Sequence, residues 1–366
     1  MLMDFVPTKR GSLEMYLLKL VQSLAKQEAD VCFLFSGECP EWFRAELMTG
    51  TIVLCSKGPP LGRGNYFSTM RTVLRLRPSV IVFWFASMFS WRTLLLTRMP
   101  FVERSIFSDH TSAAGSIKTG LRAVVAKWRG RLASSWYYKI VSVSEYNRRR
   151  NIERNYIVPE KTQVVHNGID VSQFTGASDT FVLPGPYFFF AGQLIHEKGV
   201  VTLLNAYARL KQAGTAGNVR LILAGDGPER ENLHNLAKTL GIDKETLFLG
   251  LRDDVFWLMA HAVATIVPSE WPEAFGYTAL EAMAAGCPLI TSDAGALPEV
   301  VGDCGLQFHA GNVNELAARM RYVLCHVNTD DMSERIQRAR DRARNEFSEE
   351  RRMTEHVKLY LCGLGS

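Results

Sequence analysis

Short apolar runs alternate with stretches of helical periodicity along this chain, and few architectures accept that alternation. Buried strands that turn quickly into amphipathic helices build parallel sheets covered by helices. In the first half, residues 31–35, 51–55, 80–85 and 140–143 carry the strand pattern. Residues 12–27 carry the helical one, with Leu13, Tyr16, Leu17, Leu20, Val21 and Leu24 at helical spacing behind a Ser12 suited to capping. The second half repeats the scheme. Strands are expected at 187–191, 219–224, 246–249, 264–267 and 288–291, and helices at 199–210, 229–240, 254–260, 277–285 and 315–323. The expected fold class is α/β with open, doubly wound sheets, whose ligands bind beyond the C-terminal ends of the strands.

A chain of 366 residues exceeds what one hydrophobic core ordinarily serves and suits two domains of about 150–200 residues. Gly, Ser, Asp and Pro gather in residues 176–186 with little periodicity, which is the composition of a linker. The expected domains are therefore 1–180 and 181–345, followed by a terminal segment 346–366. Charge divides unevenly between the halves. Residues 1–184 hold 24 Lys and Arg against 14 Asp and Glu, a net +10, whereas residues 185–366 hold 18 against 23, a net −5. The first half thus suits an anionic contact, such as phosphate or a lipid surface.

The longest apolar run, residues 80–91, falls short of the roughly 20 that a spanning helix needs. The first residues lack a basic region followed by an apolar core, so no secretory signal is expected. Seven scattered cysteines without a Cys-x-x-Cys pair argue against a disulfide framework or a zinc site and fit a reducing cytoplasm.

The chemistry belongs at the strand-to-helix turns. In Gly192-Gln193-Leu194-Ile195-His196-Glu197-Lys198-Gly199, a lysine stands beside a helix N-terminus, where its charge and the free backbone N–H groups suit a diphosphate. A solvated surface lysine gives the same spacing. The turn Gly225-Asp226-Gly227-Pro228 is mainly architecture. The segment from Ser269 to Met283 carries the strongest signal. Glu273 lies in its loop, Gly276 permits close backbone approach, and the helix that follows offers its positive end to phosphate. Glu281, one turn into that helix among Leu280, Ala282, Met283 and Ala284, can accept hydrogen bonds from both hydroxyls of a ribose. Glu273 can do the same for sugar hydroxyls. His110 ends a strand that begins near Arg104 and suits either a substrate hydroxyl or a structural bond.

Glu273-x7-Glu281, Gly192…Lys198-Gly199, Gly225-Asp226-Gly227-Pro228, Asn167-Gly168-Ile169-Asp170 and Val143-Ser144 together resemble the family 4 retaining glycosyltransferases, in that family's order, from about Arg10 to Phe308. The resemblance implies a GT-B fold, in which two Rossmann-like domains face each other across a cleft. The N-terminal one would bind a sugar or lipid-linked sugar acceptor and the C-terminal one a nucleotide diphosphate sugar. A helix at 349–361 would cross back to the first domain. By the same resemblance His110, Lys198 and Glu273 are the catalytic positions. Lys198 contacts the diphosphate, Glu281 the ribose and Glu273 the donor sugar. Backbone around Phe275, Gly276 and Tyr277 faces sugar and phosphate, and Gly11 matches a glycine-rich loop near the phosphates. No metal cofactor and no nucleic-acid partner are implied.

Two departures stand out. Gln193 occupies the position where the family usually carries an arginine that helps hold the diphosphate. The opening is short, with seven residues before Thr8-Lys9-Arg10-Gly11-Ser12 where the family has a full strand leading to a Gly-Gly pair. The expected activity is transfer of a hexose-type sugar from a UDP- or GDP-linked donor in surface polysaccharide or glycolipid assembly. The alternatives are a non-catalytic partner subunit and a nucleotide-sugar epimerase of the same fold. Residues 118–136, with Lys118, Arg122, Lys127, Arg129, Arg131, Trp128 and Trp136, are a candidate peripheral membrane contact at the inner face of the membrane.

Overall fold

The computed structural model describes residues 1–7, 12–47, 50–111, 119–171 and 185–361. They form two units, Met1–His166 together with Glu349–Ser366, and Asn167–Ser348. The divisions therefore fall at 166/167 and 348/349 rather than near 180 and 345. Within the second unit, the N–H of Ile169 donates to the Phe347 carbonyl at 2.9 Å, and Ile169 bridges Ser348. That pairing holds residues 167–171 to the second unit. Of the expected linker, only residues 185 and 186 lie within the described residues.

The first unit is built on strands β1 (Leu2–Met3), β2 (Cys32–Phe35), β3 (Ile52–Cys55), β4 (Val80–Trp84), β5 (Arg104–Asp109), β6 (Lys139–Ser142) and β7 (Thr162–Val164). They pair in parallel in the order β3-β2-β1-β4-β5-β6-β7. Its helices are α1 (Ser12–Ala25), α2 (Glu41–Glu46), α3 (Tyr66–Leu76), α4 (Trp91–Leu96), α5 (Gly120–Trp136) and α6 (Glu145–Asn155). Strand side chains alternate between two cores, as a two-residue period demands. Met3, Phe33, Phe35, Val82 and Trp84 pack with Tyr16, Leu17 and Leu20 of α1. Leu2, Leu34, Ile81, Phe83 and Phe107 pack with Val73 of α3, Leu96 of α4 and Ala133 of α5. Sheets of this kind are buried on both faces, which is why the strands read as continuous apolar runs.

The second unit repeats the design with β8 (Tyr187–Ala191), β9 (Arg220–Ala224), β10 (Thr246–Gly250), β11 (Ala264–Val267), β12 (Leu289–Ser292) and β13 (Leu306–Phe308). All are parallel, in the order β10-β9-β8-β11-β12-β13. Helices α7 (Val200–Gln212), α8 (Arg230–Thr239), α9 (Val255–Ala260), α10 (Tyr277–Ala285), α11 (Leu297–Val301), α12 (Val313–His326) and α13 (Asp330–Glu346) connect and cover it. The last helix, α14 (Glu349–Leu361), belongs to the first unit, where Met353, Leu359 and Tyr360 join the core beside α1 and Glu349 pairs with Lys19 at 2.5 Å.

Candidate active site in the C-terminal unit

The strand order of the second sheet reverses between β8 and β11, and ligands of open α/β sheets bind in the crevice that such a reversal creates. Both loops singled out in the sequence leave from these two strands. After β8, the chain is tied to the neighbouring turn by Gly192 N–H to Ala224 O and Leu194 N–H to Asp226 O, both 3.0 Å. It then makes a short 3₁₀ turn, His196–Lys198. After β11, the chain returns to that turn, with the N–H groups of Glu270 and Trp271 donating to Glu197 O at 2.9 and 3.2 Å.

Gly199 makes this fit possible. Its φ is +67°, and a Cβ there would lie 1.9 Å from the Pro268 carbonyl oxygen. Because that atom is backbone, it cannot swing aside. Gly199→Ala is therefore expected to cost about 2–4 kcal/mol. A urea midpoint for the C-terminal unit equal to wild type would refute this account of the loop.

The two loops meet in an ion pair. Lys198 Nζ lies 2.6 Å from Glu273 Oε1, with the lysine 31% and the glutamate 17% exposed. The same carboxylate oxygen accepts from Ser269 Oγ at 2.7 Å. Ser269 is fixed in turn by Ser292 Oγ, which donates to its carbonyl at 2.6 Å. The Glu273 backbone bridges Gly295, and its carbonyl accepts from Ala296 N–H at 2.9 Å. Beside it, Thr202 Oγ1 donates to Glu270 Oε1 at 2.6 Å.

Three residues beyond Glu273, Gly276 caps α10 at φ +104°. A Cβ there would come 2.6 Å from Leu297 Cδ2. Phe275 is buried and packs edge-on to Tyr277 at 5.7 Å. Glu281 is half-buried on α10 between the fully buried Leu280 and Ala282. Gln193 is exposed. Lys198, Glu273, Phe275, Gly276, Tyr277, Glu281 and Gln193 thus gather on the loops and the helix that follow the two switch-point strands. Among the described residues, no group of three or more His, Cys, Asp or Glu is arranged to hold a metal.

Residues 13–173 match the family described as Glycosyltransferase Family 4, and residues 177–342 match Glycosyl transferases group 1. The chain belongs to family 4 of the glycosyltransferases. Glycogen synthase of Mycobacterium tuberculosis is 33% identical over 206 residues, 54% of this chain and 48% of that protein. The chain thus spans about half the length of the curated relatives it matches. The crystal structure of a glycosyltransferase from Rickettsia africae ESF-5 superposes with a TM-score of 0.82 at 17% identity, covering 98% of this chain and 96% of that one. Anabaena HepE in complex with UDP gives 0.75 at 19% identity, with 98% and 99% covered. The chain has the GT-B fold, with a Rossmann-like parallel sheet in each unit.

Of the remaining predicted positions, Gly11 lies outside the described residues, and His110 belongs to the first unit. His110 stacks on Trp84 with ring centroids 4.6 Å apart, and its Nε2 shares a 2.9 Å hydrogen bond with Ser108 Oγ. Burial of its ring, with the Arg352 guanidinium nearby, pushes its pKa down to about 3.

The sequence reading overlooked what fixes the segment around His110. The preceding residue, Asp109, is buried, and its Oδ2 accepts from Arg150 at 3.1 Å and Asn151 at 2.8 Å. Its backbone carbonyl accepts from Asn147 Nδ2 at 3.0 Å. A visible signal existed, because Asn147, Arg150 and Asn151 fall on one face of α6, behind a Ser144 that caps its start.

Proposed function

We propose that this glycosyltransferase moves a hexose-type sugar from a UDP- or GDP-linked donor to a hydroxyl of a sugar or lipid-linked sugar acceptor, with retention at the anomeric carbon. The observation that carries the reading is the Lys198–Glu273 pair bridging the two switch-point loops beside the N-terminus of α10. An ammonium has three donors, so Lys198 can hold Glu273 and a diphosphate oxygen together. The first N–H groups of α10 carry the positive end of the helix dipole, which suits the same phosphates. Glu273, oriented by Ser269, accepts hydrogen bonds from the donor sugar's hydroxyls, and Glu281 those of the ribose. A neutral His110 can hydrogen-bond the reacting sugar without adding charge.

In this reading the acceptor proton passes to the leaving phosphate on the same face. The protein contributes position and charge stabilisation, with no metal cofactor. HepE, whose fold this chain shares, has been solved with UDP-glucose, which favours UDP as the first nucleotide to test. Surface polysaccharide or glycolipid assembly in the cytoplasm, with α5 touching the inner face of the membrane, is the setting that fits.

Thermal unfolding with UDP, GDP, ADP or dTDP tests the donor site. At a hundred times its dissociation constant, the right nucleotide adds about 2.7 kcal/mol, a shift of roughly 5–10 °C. Glu281→Ala should diminish that shift. No shift with any of the four would overturn the reading in favour of a non-catalytic partner subunit. A donor altered without any acceptor would favour the epimerase.

A further inference from the structure

The cysteines of this chain differ in which way the sulfur bonds. Cys32, Cys39, Cys287 and Cys304 donate to an oxygen: to the carbonyls of Phe33 at 3.7 Å, Pro40 at 3.8 Å and Pro288 at 3.3 Å, and to the Asp303 carboxylate at 3.6 Å. Cys55 is the acceptor. Arg44 Nη2 donates to its Sγ at 3.2 Å, and so does the backbone N–H of Cys39 at 3.3 Å. Cys55 is also exposed, where Cys39 is buried. The thiolate is the nucleophilic form of cysteine, and accessible cysteines beside an arginine are the ones that react.

The fold brings the two sulfurs together. Strands β2 and β3 lie side by side with Phe35 opposite Cys55, and the chain beyond Phe35 turns so that Cys39 meets Cys55. Ser56 N–H donates to Phe35 O at 3.1 Å and Gly58 N–H to Ser36 O at 2.9 Å, so the two segments stay fastened past the ends of the strands. Arg44, on α2, spans both, because its Nε donates to the Cys39 carbonyl at 3.2 Å while its Nη2 holds Cys55. With an N–Cα bond of about 1.46 Å, the Cα of Cys39 stands no more than about 4.8 Å from Cys55 Sγ. A disulfide sets its Cα atoms about 4.4–6.8 Å apart, and this approach suits one. Burial pushes the Cys39 thiol up, Arg44 pulls against that, and Cys55 pushes it up further. Cys39 therefore stays a thiol, and the exposed Cys55 meets a reagent first.

We propose that Cys55 and Cys39 form a thiol pair that a hydroperoxide oxidises, with Cys55 as the attacking sulfur, Cys39 as the resolving one and Arg44 holding Cys55 in place. The Cys55 thiolate first attacks one peroxide oxygen. An S–O bond forms, the O–O bond breaks, and the departing hydroxide takes a proton from solvent and leaves as water. The sulfur has given two electrons to the peroxide and is now a sulfenic acid. The Cys39 sulfur then attacks it. The S–S bond forms, the S–O bond breaks, and the hydroxide leaves as water with the Cys39 proton. A small thiol restores the pair by exchange, as expected of an exposed disulfide. The site lies wholly within the first unit and does not depend on glycosyl transfer.

Oxidation of the full chain by a small excess of hydrogen peroxide tests this, followed by intact mass and by peptide mapping after alkylation of the remaining thiols. Wild type should lose about 2 Da and yield a Cys39–Cys55 crosslinked peptide, both reversed by dithiothreitol. Cys39→Ser should stop at the sulfenic acid and take up dimedone at Cys55. Arg44→Gln should slow the loss of the Cys55 thiol several-fold, and Arg44→Lys should recover part of the rate. Cys325, exposed on α12, is the reference within the same molecule. Its thiol should outlast that of Cys55 in wild type, a comparison that needs no variant to fold. Oxidation of Cys55 and Cys325 at one rate, or of Cys55 without the crosslink to Cys39, would overturn the proposal. An unchanged rate in Arg44→Gln would overturn the role given to Arg44.

Discussion

Replacing Lys198 with Met should lower kcat for sugar transfer by about 10²–10³-fold, the range seen when one preorganised donor to a developing anion is removed. In the proposed reaction the growing charge sits on the leaving diphosphate, and Lys198 is the cation on the switch-point loops already anchored by Glu273 at 2.6 Å. The effect on folding should be small, about 1 kcal/mol or less, because the pair is partly open to solvent and screened. The decisive reading is kinetic. If Lys198 stabilises the transition state, kcat and kcat/KM fall together, whereas a rise in KM with unchanged kcat would mean that it only binds ground-state donor. The donor to use is the sugar of whichever nucleotide stabilises the fold. Arg at this position keeps the charge but not the compact ammonium, so Lys198→Arg should recover activity only in part. Full activity in Lys198→Met would remove the residue from the mechanism.

Lowering the pH from 7 to 4.5 should destabilise the first unit by several kcal/mol. His110 and His356 share one aromatic and cationic cluster. His110 lies on Trp84, and His356 lies within 6.1 Å of the same indole and bonds Tyr16 through Nδ1. Tyr360 packs against His356 at 5.4 Å, and Arg352 sits 3.5 Å over the Tyr16 ring. Phe85 and Ser108 complete the surroundings of His110.

Burial first, and then Arg352, hold both rings neutral, His110 down to about 3 and His356 well below the usual histidine value. His356 Nε2 is buried with no hydrogen-bond partner, so an imidazolium there would strand a donor. Below pH about 6.5 the unfolded chain takes up both protons and the folded chain does not, so stability falls as pH falls. The window opens near 6.5 and, for His110, closes near 3. Each histidine contributes about 1.4 kcal/mol per pH unit within it. For His110 alone, the two units from 6.5 to 4.5 remove on the order of 3 kcal/mol, and His356 shifts stability in the same direction. Urea unfolding followed by tryptophan fluorescence measures the slope, and His356→Asn should lower it. A flat profile from pH 6.5 to 5 would show that the cluster admits protons freely.

Much of the fold was legible because its signals are local. Residues 187–191, 264–267 and 277–285 were expected as strand, strand and helix, and β8, β11 and α10 have those bounds. Helix α13 was missed for a physical reason. Its sequence is mostly charged, with only Met332, Ala339 and Ala343 buried, so it has little apolar periodicity to read. It is held instead by arginines bonding carbonyls of other segments, such as Arg340 to Ala285 and Arg342 to Val300 and Glu299. Strand β1 is two residues long, too short to register, yet it pairs with both β2 and β4 at the centre of its sheet.

By itself the sequence determined the α/β alternation, the glycine-bearing turns between strands and helices, and the family to which the chain belongs. Each of these rests on neighbours within a few positions along the chain, where periodicity and turn residues act. Only the tertiary structure decided that Lys198 and Glu273, 75 residues apart, share a hydrogen bond, and that Arg352 from the last helix stands over Tyr16 from the first. It also decided that α5 presents its large side chains outward. These depend on which strands become neighbours and which helix face meets the sheet, and no local period encodes that choice.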